Sequence, residues 1–468
     1  MVQDKALRKY TLITVTLASF MTPFMGSAVN LAIPAIGEQF NSSTYMLSWV
    51  VSSYLLSSAA LLLPFGRLAD ILGRKKIFVL GILVFTLSSL LCNLSWSIQA
   101  LVFFRLLQGA GGAALFSTGM AILTSVFPPQ ERGKVLGINA ATVYTGLSLG
   151  PVLGGAMNQH FGWQSIFYLN VLIGLPVMLL AVWKLKAEWA DARGERFDLT
   201  GATLYSAGLG SLMYGFSSMG TSASAKVFTA AGLILLALFV RRQAMVRQPM
   251  LNIKLLSGNT AFAFSNLAAL INYSATFAVG FLLSLYLQVI MGYNSQTAGL
   301  ILLSQPVLMA LLSPFAGVLS DRVEPRIVAS WGMGLTTIGL ALFSFIGKDT
   351  QTWFVVANLA LLGTGFALFS SPNNNAIMGS VEKQFYGIAS STLGTMRLTG
   401  QAASMALATL IIDLHIGGVQ LNAADPGLLI KSLNISFVIF AVACFGGIFA
   451  SLARGNMITP RAQKSPAD

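Results

Sequence analysis

Long apolar runs separated by short polar connections fill the chain from one end to the other. Each run is close to or beyond the roughly 20 residues that a helix needs to cross a bilayer. Fourteen helices are predicted, centred near Val15, Leu56, Val84, Ala114, Thr142, Ile173, Leu209, Leu233, Phe277, Leu308, Ile338, Ala360, Thr399 and Phe440. The first run is longer than the apolar region of a signal peptide and carries Pro23 and Pro34 in place of a small-residue cleavage site, so it reads as a retained anchor. No separate soluble domain is expected.

The polar connections are not alike. Lys5, Arg8, Lys9, Arg67, Arg74, Lys75, Lys76, Arg132, Lys134, Lys184, Lys186, Arg241, Arg242, Arg322, Arg326 and Arg454 fall at the two termini and in alternate connections, while Lys226, Lys348 and Lys431 fall on the other side. Basic loops resist translocation, so both termini are expected in the cytoplasm of a multi-pass protein of the cell membrane. Composition agrees: 468 residues, 55% hydrophobic and only 9% charged, cannot cover a water-soluble globule. The net charge of +13 is spread over short loops, where topology and anionic lipid explain it, so no nucleic-acid partner is expected.

Internal repetition suggests two halves. Gly109 and Gly111 match Gly363 and Gly365, and Gly133 and Gly146 match Gly387 and Gly400, all at an offset of 254. The stretch GRLADILGRKK at residues 66–76 is echoed by GVLSDRVEPR at residues 317–326. A duplicated bundle follows: an N-terminal six-helix bundle at 1–186, a linker with two inserted membrane helices at 187–255, a C-terminal six-helix bundle at 256–454 and a cytoplasmic tail at 455–468.

Enzymatic and ATP-driven classes find no support. There is no glycine-rich phosphate loop ending in Gly-Lys-Ser/Thr, so no ATP is expected. His160 and His415 stand in outer loops without clustered cysteines or acids, so neither a metal nor a hydrolytic site is expected. Cys92 and Cys444 lie in apolar runs and read as core hydrophobes. No cofactor is expected beyond a proton as coupling ion, and the chain reads as a monomer.

The residue order in the connections is specific. Gly66, Asp70, Gly73, Arg74 and Lys75, echoed by Gly317, Asp321 and Arg322, resemble the loop signature of the major facilitator superfamily. Arg105, Gln108 and Gly109 resemble its fourth-helix motif, and Gly146, Gly150, Pro151, Gly154 and Gly155 its exporter motif. The whole chain resembles the fourteen-helix drug:proton antiporter branch. The resemblance implies an all-α membrane protein with the major facilitator fold, two six-helix bundles plus two inserted helices. It also implies a steering role for Arg105 and export, and it favours reading the Asp70 loop as a latch onto the opposite half over a solvated basic loop that only fixes topology.

Physical chemistry gives these motifs tasks of their own. Glycines four apart let a neighbouring helix approach to backbone distance, and Pro151 removes a backbone donor. A buried arginine cannot shed its proton, so Arg105 is expected to face polar groups, either a cavity or carbonyls and Gln108. Arg397 is the second base inside a predicted helix. Asn373, Asn374 and Asn375 follow Pro372 and either cap a broken helix or face the cavity, the break being expected. Asn266, Asn272 and Tyr273 read as inter-helix glue or ligand contacts.

One feature departs from the family. Cation exporters of this branch carry an aspartate in helix one; aligned on Asn30 and Pro34, this chain has Met25 there. The remaining carboxylates lie at helix ends or in connections, Glu38 and Asp413 among those at outer helix ends. With two buried arginines and no mid-membrane acid, the cavity is expected to favour neutral, zwitterionic or anionic compounds, and Met25→Asp to create cation recognition. The readings are a secondary exporter of small organic molecules coupled through a peripheral carboxylate such as Asp70 or Glu38, an uncoupled facilitator or exchanger, and a non-transporting sensor or scaffold.

Overall fold

The computed structural model describes residues 2–185, 187–219, 223–251, 253–382, 386–416 and 425–455, and every regular element among them is helical. A first bundle holds α1 (Val2–Phe40), α2 (Thr44–Leu72), α3 (Arg74–Asn93), α4 (Ile98–Val126), α5 (Pro129–Phe161) and α6 (Gln164–Lys184). A hairpin of α7 (Leu199–Ser217) and α8 (Ala225–Met245) follows, then the short α9 (Ile253–Gly258). The second bundle holds α10 (Thr260–Thr276), α11 (Ala278–Leu285), a π turn (Tyr286–Ile290), α12 (Ser295–Leu302), α13 (Ser304–Arg322), α14 (Pro325–Phe343), α15 (Thr352–Gly379), α16 (Tyr386–Ile416) and α17 (Pro426–Leu452).

Among the described residues twelve helical stretches are long and apolar enough to cross a membrane, and α7 and α16, of 19 and 31 residues, are not counted in those twelve. The ends are set by local chemistry. Ser43, Ser97, Asp198, Asn259, Asn294 and Asp425 each accept a hydrogen bond from the first-turn amides of their helix. Proline opens α5, α14 and α17, where its missing N–H is harmless.

Two predicted helices are divided. The ninth breaks at Phe277, where the Ser404 hydroxyl accepts from the Ala278 amide at 3.0 Å and so replaces a ladder bond. The tenth breaks after Leu302, four residues before Pro306, which has no N–H to reach that carbonyl. The expected break at Pro372 is absent: α15 runs unbroken through it. Membrane neighbours can re-satisfy the freed backbone: Pro34 inside α1 frees the Asn30 carbonyl, which accepts from the Ser284 hydroxyl of α11 at 2.7 Å.

The repeated glycines do the same work in both halves. A side chain on Gly109 would strike the Tyr54 carbonyl of α2, and one on Gly363 the Gln305 carbonyl of α13. One on Gly111 would sit 2.5 Å from the Phe85 amide nitrogen of α3; one on Gly365, 2.8 Å from the Gly332 oxygen of α14. Without a hydrophobic force between helices in lipid, such backbone approach supplies the packing.

The helix ends define two faces. On the basic face Arg8 pairs with Glu131 at 3.3 Å, and the Lys184 ammonium lies 5.2 Å from the Tyr10 ring centre. On the opposite face the Trp163 indole donates to Gln39 at 2.7 Å. The α7–α8 hairpin closes the seam between the bundles along α2 and α16. The Tyr205 hydroxyl donates to the Ala59 carbonyl at 2.9 Å, and Ser206 donates to the Ala60 carbonyl at 2.7 Å.

Candidate functional site

At the middle of the bundle interface stands Arg397 of α16, about 16 Å from the start of its helix at 1.5 Å per residue. Its guanidinium lies 5.0 Å from the ring centre of Phe116, which α4 of the other bundle supplies. Tyr273 of α10 stands beside Arg397 and Ser370, and Tyr144 of α5 reaches the Ser370 hydroxyl at 3.3 Å. Phe366 meets the Tyr273 ring edge-on at 5.5 Å. No ion pair among the described residues involves Arg397. The cluster therefore offers one positive charge, several hydroxyls and four aromatic rings drawn from both halves. Such a surface suits an aromatic compound carrying oxygen acceptors and repels a cation.

Arg105 is elsewhere. It is fully buried inside the first bundle, its Nε donates to the Val50 carbonyl at 2.9 Å, and its Nη1 donates to Gln108. Gln108 passes the chain on to the Ser89 hydroxyl at 2.7 Å, and the guanidinium rests 4.5 Å from the Tyr54 ring centre. Carbonyl, amide and π-face replace a carboxylate. Met25 is equally buried, with the Asn170 amide nitrogen 3.2 Å from its sulfur. It packs into the first bundle's interior, where α1 meets α6.

The other candidate polar residues divide in the same way. Asn30 sits between the bundles: its carbonyl accepts from Ser284 of α11 at 2.7 Å, and a side chain on Gly280 would lie 3.5 Å from its amide nitrogen. Asn266 donates to the Phe262 carbonyl of its own helix at 2.9 Å. Asn272 is fully buried, and neither end of its amide has a partner among the described residues. Asn375 donates to Ser320 at 2.7 Å, Asn373 is buried and Asn374 is exposed. None of the three caps a helix end.

The glycines of α5 seal the bundles on the opposite face. Side chains on Gly146, Gly150 and Gly154 would strike α1, for Gly154 at 2.7 Å from the Ala28 Cβ. Gly155 faces across instead: a Cβ there would lie 3.1 Å from the Ser295 carbonyl carbon and nearer still to its oxygen. Gly299 of α12 meets the Pro151 carbonyl in the same way, with that carbon 2.9 Å away. The Ser295 hydroxyl donates to the Gly155 carbonyl at 3.1 Å. Toward the basic face the Ser390 hydroxyl of α16 stands 2.8 Å from the Met120 sulfur of α4.

The corner after α2 is held from within its own half. Asp70 Oδ1 accepts from Arg74 at 2.9 and 3.1 Å, and Arg74 also donates to Ser125 at 2.7 Å. Gly66 lies against Ser117, and Gly73 has a φ of 120°, a backbone conformation that favours glycine. The expected latch from Asp70 to the opposite half does not appear among the described contacts, which run instead to the linker after α6. In the second copy Gly317 lies against Ser371, Arg322 is exposed, and the Asp321 side chain lies outside the described residues.

Three features escape sequence reading. Tyr144, Ser370 and Phe116 carry no motif, and only the docking of the bundles joins them to Arg397. Asp413 reads in the sequence as a helix-end acid, yet it is 4% exposed within α16. Asp198 caps α7 and is gripped by Arg242 and Gln243 of α8, a pairing that the Asp-x-x-Gly pattern at the helix start hints at.

A two-bundle membrane fold with a polar interface is the architecture of a carrier. The sequence profile of the Major Facilitator Superfamily matches residues 15–265 and 265–467. The chain belongs to the major facilitator superfamily. Among its relatives are the riboflavin transporter RibZ of Clostridioides difficile, 30% identical over 94% of this chain and 96% of that one, and the cephamycin export protein CmcT of Amycolatopsis lactamdurans, 30% identical over 94% and 92%. The multidrug resistance protein Stp of Mycobacterium tuberculosis is 31% identical over 85% of this chain and 74% of its own. These names set this superfamily member in a drug-efflux-like branch, as a transporter and not an enzyme. A solved bacterial homologue of the lysosomal transporter Spinster shares the fold, with a TM-score of 0.66 over 96% of this chain and 97% of that one at 16% identity.

Proposed function

We propose that this protein exports small organic compounds from the cytoplasm by alternating access and prefers neutral or anionic aromatic compounds to lipophilic cations. The observation that carries the reading is Arg397, a positive charge at the bundle interface with no carboxylate partner among the described residues, ringed by Phe116, Tyr273 and Tyr144. The relatives named for riboflavin transport and cephamycin export fit substrates of this kind. Export and the drug-efflux direction come from the relatives' names and the α5 glycines. The basic face is the cytoplasmic one, both termini lie there, and the helices make fourteen crossings of the cell membrane as a monomer.

Protons supply the energy in this reading. Among the described side chains, Asp413 is the buried carboxylate of a membrane-length helix, and it is a better-placed carrier than the exposed Glu38 or the Arg74-bound Asp70. The test is a transport panel of riboflavin, fluorescein and ethidium in liposomes, with and without an imposed proton gradient. Gradient-driven movement of riboflavin or fluorescein supports the reading. Movement that ignores the gradient would favour the uncoupled exchanger, and no movement of any compound would remove the transport reading for this panel.

A further inference from the structure

Two arginines are almost wholly buried among the described residues, and their surroundings differ. Arg105 has the Val50 carbonyl and Gln108 as acceptors and lies over the Tyr54 ring. Arg454, just past the end of α17 on the basic face, is 2% exposed, and neither its Nε nor either Nη has a hydrogen-bond partner. No described carboxylate acts on it: burial alone holds its guanidinium below the ordinary arginine range, at about 9. A buried charge of this kind is costly until an anion meets it.

Arg454 stands at the end of a seam. The α14 and α17 helices run antiparallel there, since the Ser330 hydroxyl donates to Ser451 at 2.9 Å and the Cys444 thiol reaches the Met333 carbonyl at 3.5 Å. Arg326 lies one turn from Ser330 toward the basic face, and Arg454 lies three residues from Ser451 in the same direction. The two bases therefore share a level, and the Arg326 Nε also lacks a partner. Deeper in the membrane the seam carries a surface groove of about 200 Å³ lined by Ile327, Ser330, Trp331, Gly334 and Leu452. From Ile327 to Gly334 it follows α14 for about 10 Å. Trp331 is 69% exposed, and Phe445 and Phe449 share the exposed α17 face of Leu452. Tryptophan at this depth marks the boundary between headgroups and acyl chains. The arginine stem beyond the helix end is long enough to turn its head outward into that layer.

We propose that the α14–α17 seam binds one anionic phospholipid, with its phosphate on Arg454 and Arg326 and an acyl chain along Trp331 and Gly334. Charge and groove together select the occupant: the bases call for an anion, and the apolar channel leading from them calls for one that carries a chain. The site shares no residue with the Arg397 cluster and stands independently of the transport reading.

The test uses the purified full chain in phosphatidylcholine vesicles containing a minor fraction of brominated phosphatidylglycerol or brominated phosphatidylcholine. Bromine quenches an indole that it touches, and the Trp331 signal is isolated by subtracting the Trp331→Phe form of each protein. Phosphatidylglycerol should be enriched about ten-fold over phosphatidylcholine at Trp331, as charge-assisted contacts imply. Arg454→Gln should bring that preference within about two-fold, while Arg454→Lys keeps most of it. At Gly334 an added Cβ meets nothing within 4 Å, so Gly334→Leu fills the groove without a clash, and it too should remove the preference. This second variant decides the matter if Arg454→Gln does not fold. Equal quenching by the two lipids in the wild type overturns the proposal, as does a preference that Arg454→Gln or Gly334→Leu leaves intact. So does an equal loss in Lys9→Gln, exposed on α1 of the other bundle, since that marks diffuse attraction to the basic face. Loss of the preference in excess inorganic phosphate at constant ionic strength assigns the bases to a free anion and removes the lipid.

Discussion

Gly155→Ala tests the seal on the opposite face. The added methyl would stand 3.1 Å from the Ser295 carbonyl carbon and 3.2 Å from Gln296 Cα, where ordinary contact begins at 3.4 Å, and closer still to the Ser295 oxygen. All of these atoms are backbone, so no side chain can swing away. The α5 and α12 helices must part by about half an ångström or more, and overpacking of this kind costs about 1–3 kcal/mol. That cost falls only on the sealed state, because the contact crosses between bundles. It lowers the sealed population about 5- to 150-fold relative to the state open on that face. The assay is maleimide labelling of a cysteine placed at Ser295, which is 4% exposed in the sealed state, together with transport rate. The native Cys92 and Cys444 are buried, which keeps their background low. Labelling should rise and turnover fall at least five-fold, with Gly154→Ala, whose clash is with α1 of its own bundle, as the control that strains α5 without touching the seal. Unchanged labelling and unchanged turnover in a folded Gly155→Ala protein would refute the idea that this contact opens during transport.

Arg397→Gln should lower fluorescein transport about ten-fold or more while changing riboflavin transport less than three-fold, as the loss of one charge-assisted contact implies, and paired uptake assays read the difference. Asp413→Asn should abolish gradient-driven accumulation but leave downhill exchange, measured with and without a proton gradient. Asp198→Asn should destabilise the hairpin by about 1–2 kcal/mol through loss of a helix cap and buried hydrogen bonds, read as a lower melting temperature. Burial raises the Asp198 carboxyl, but its bonds from Arg242, Gly201 and Gln243 hold it below the ordinary range. Its contribution is therefore present above about pH 4 and lost as pH falls through the depressed value, so the gap to Asp198→Asn should shrink in acid. Met25→Asp should lower the folded yield and create no ethidium transport, because the new carboxylate enters the first bundle beside Asn170 and not the interface.

The glycines make much of the fold legible in the sequence. Gly109 with Gly363 and Gly111 with Gly365 announce the repeat, because only glycine fits where a helix meets another's carbonyl. Helix interruptions are less legible. Pro372 leaves α15 continuous whereas Pro306 marks a break, and the difference lies in neighbours that sequence spacing does not reveal. The site follows the same division. Arg397 is visible as a charge in an apolar run, but Phe116 and Tyr144 become its companions only when the bundles dock. The fourth-helix motif points to Arg105, whose side chain is taken up by Val50, Gln108 and Tyr54. In the linker Glu188, Asp191 and Glu195 stand in the same chain as a basic corner motif, yet only the fold shows that they bind it, at the Lys75 amide, Arg74 and Arg67.

The most direct test compares ethidium and fluorescein transport by the purified protein in the same liposomes, under the same proton gradient, with Arg397→Gln alongside. A positively charged interface centred on Arg397 predicts that fluorescein moves, that ethidium does not, and that Arg397→Gln removes most of the fluorescein rate. Robust ethidium transport with no fluorescein transport would contradict it.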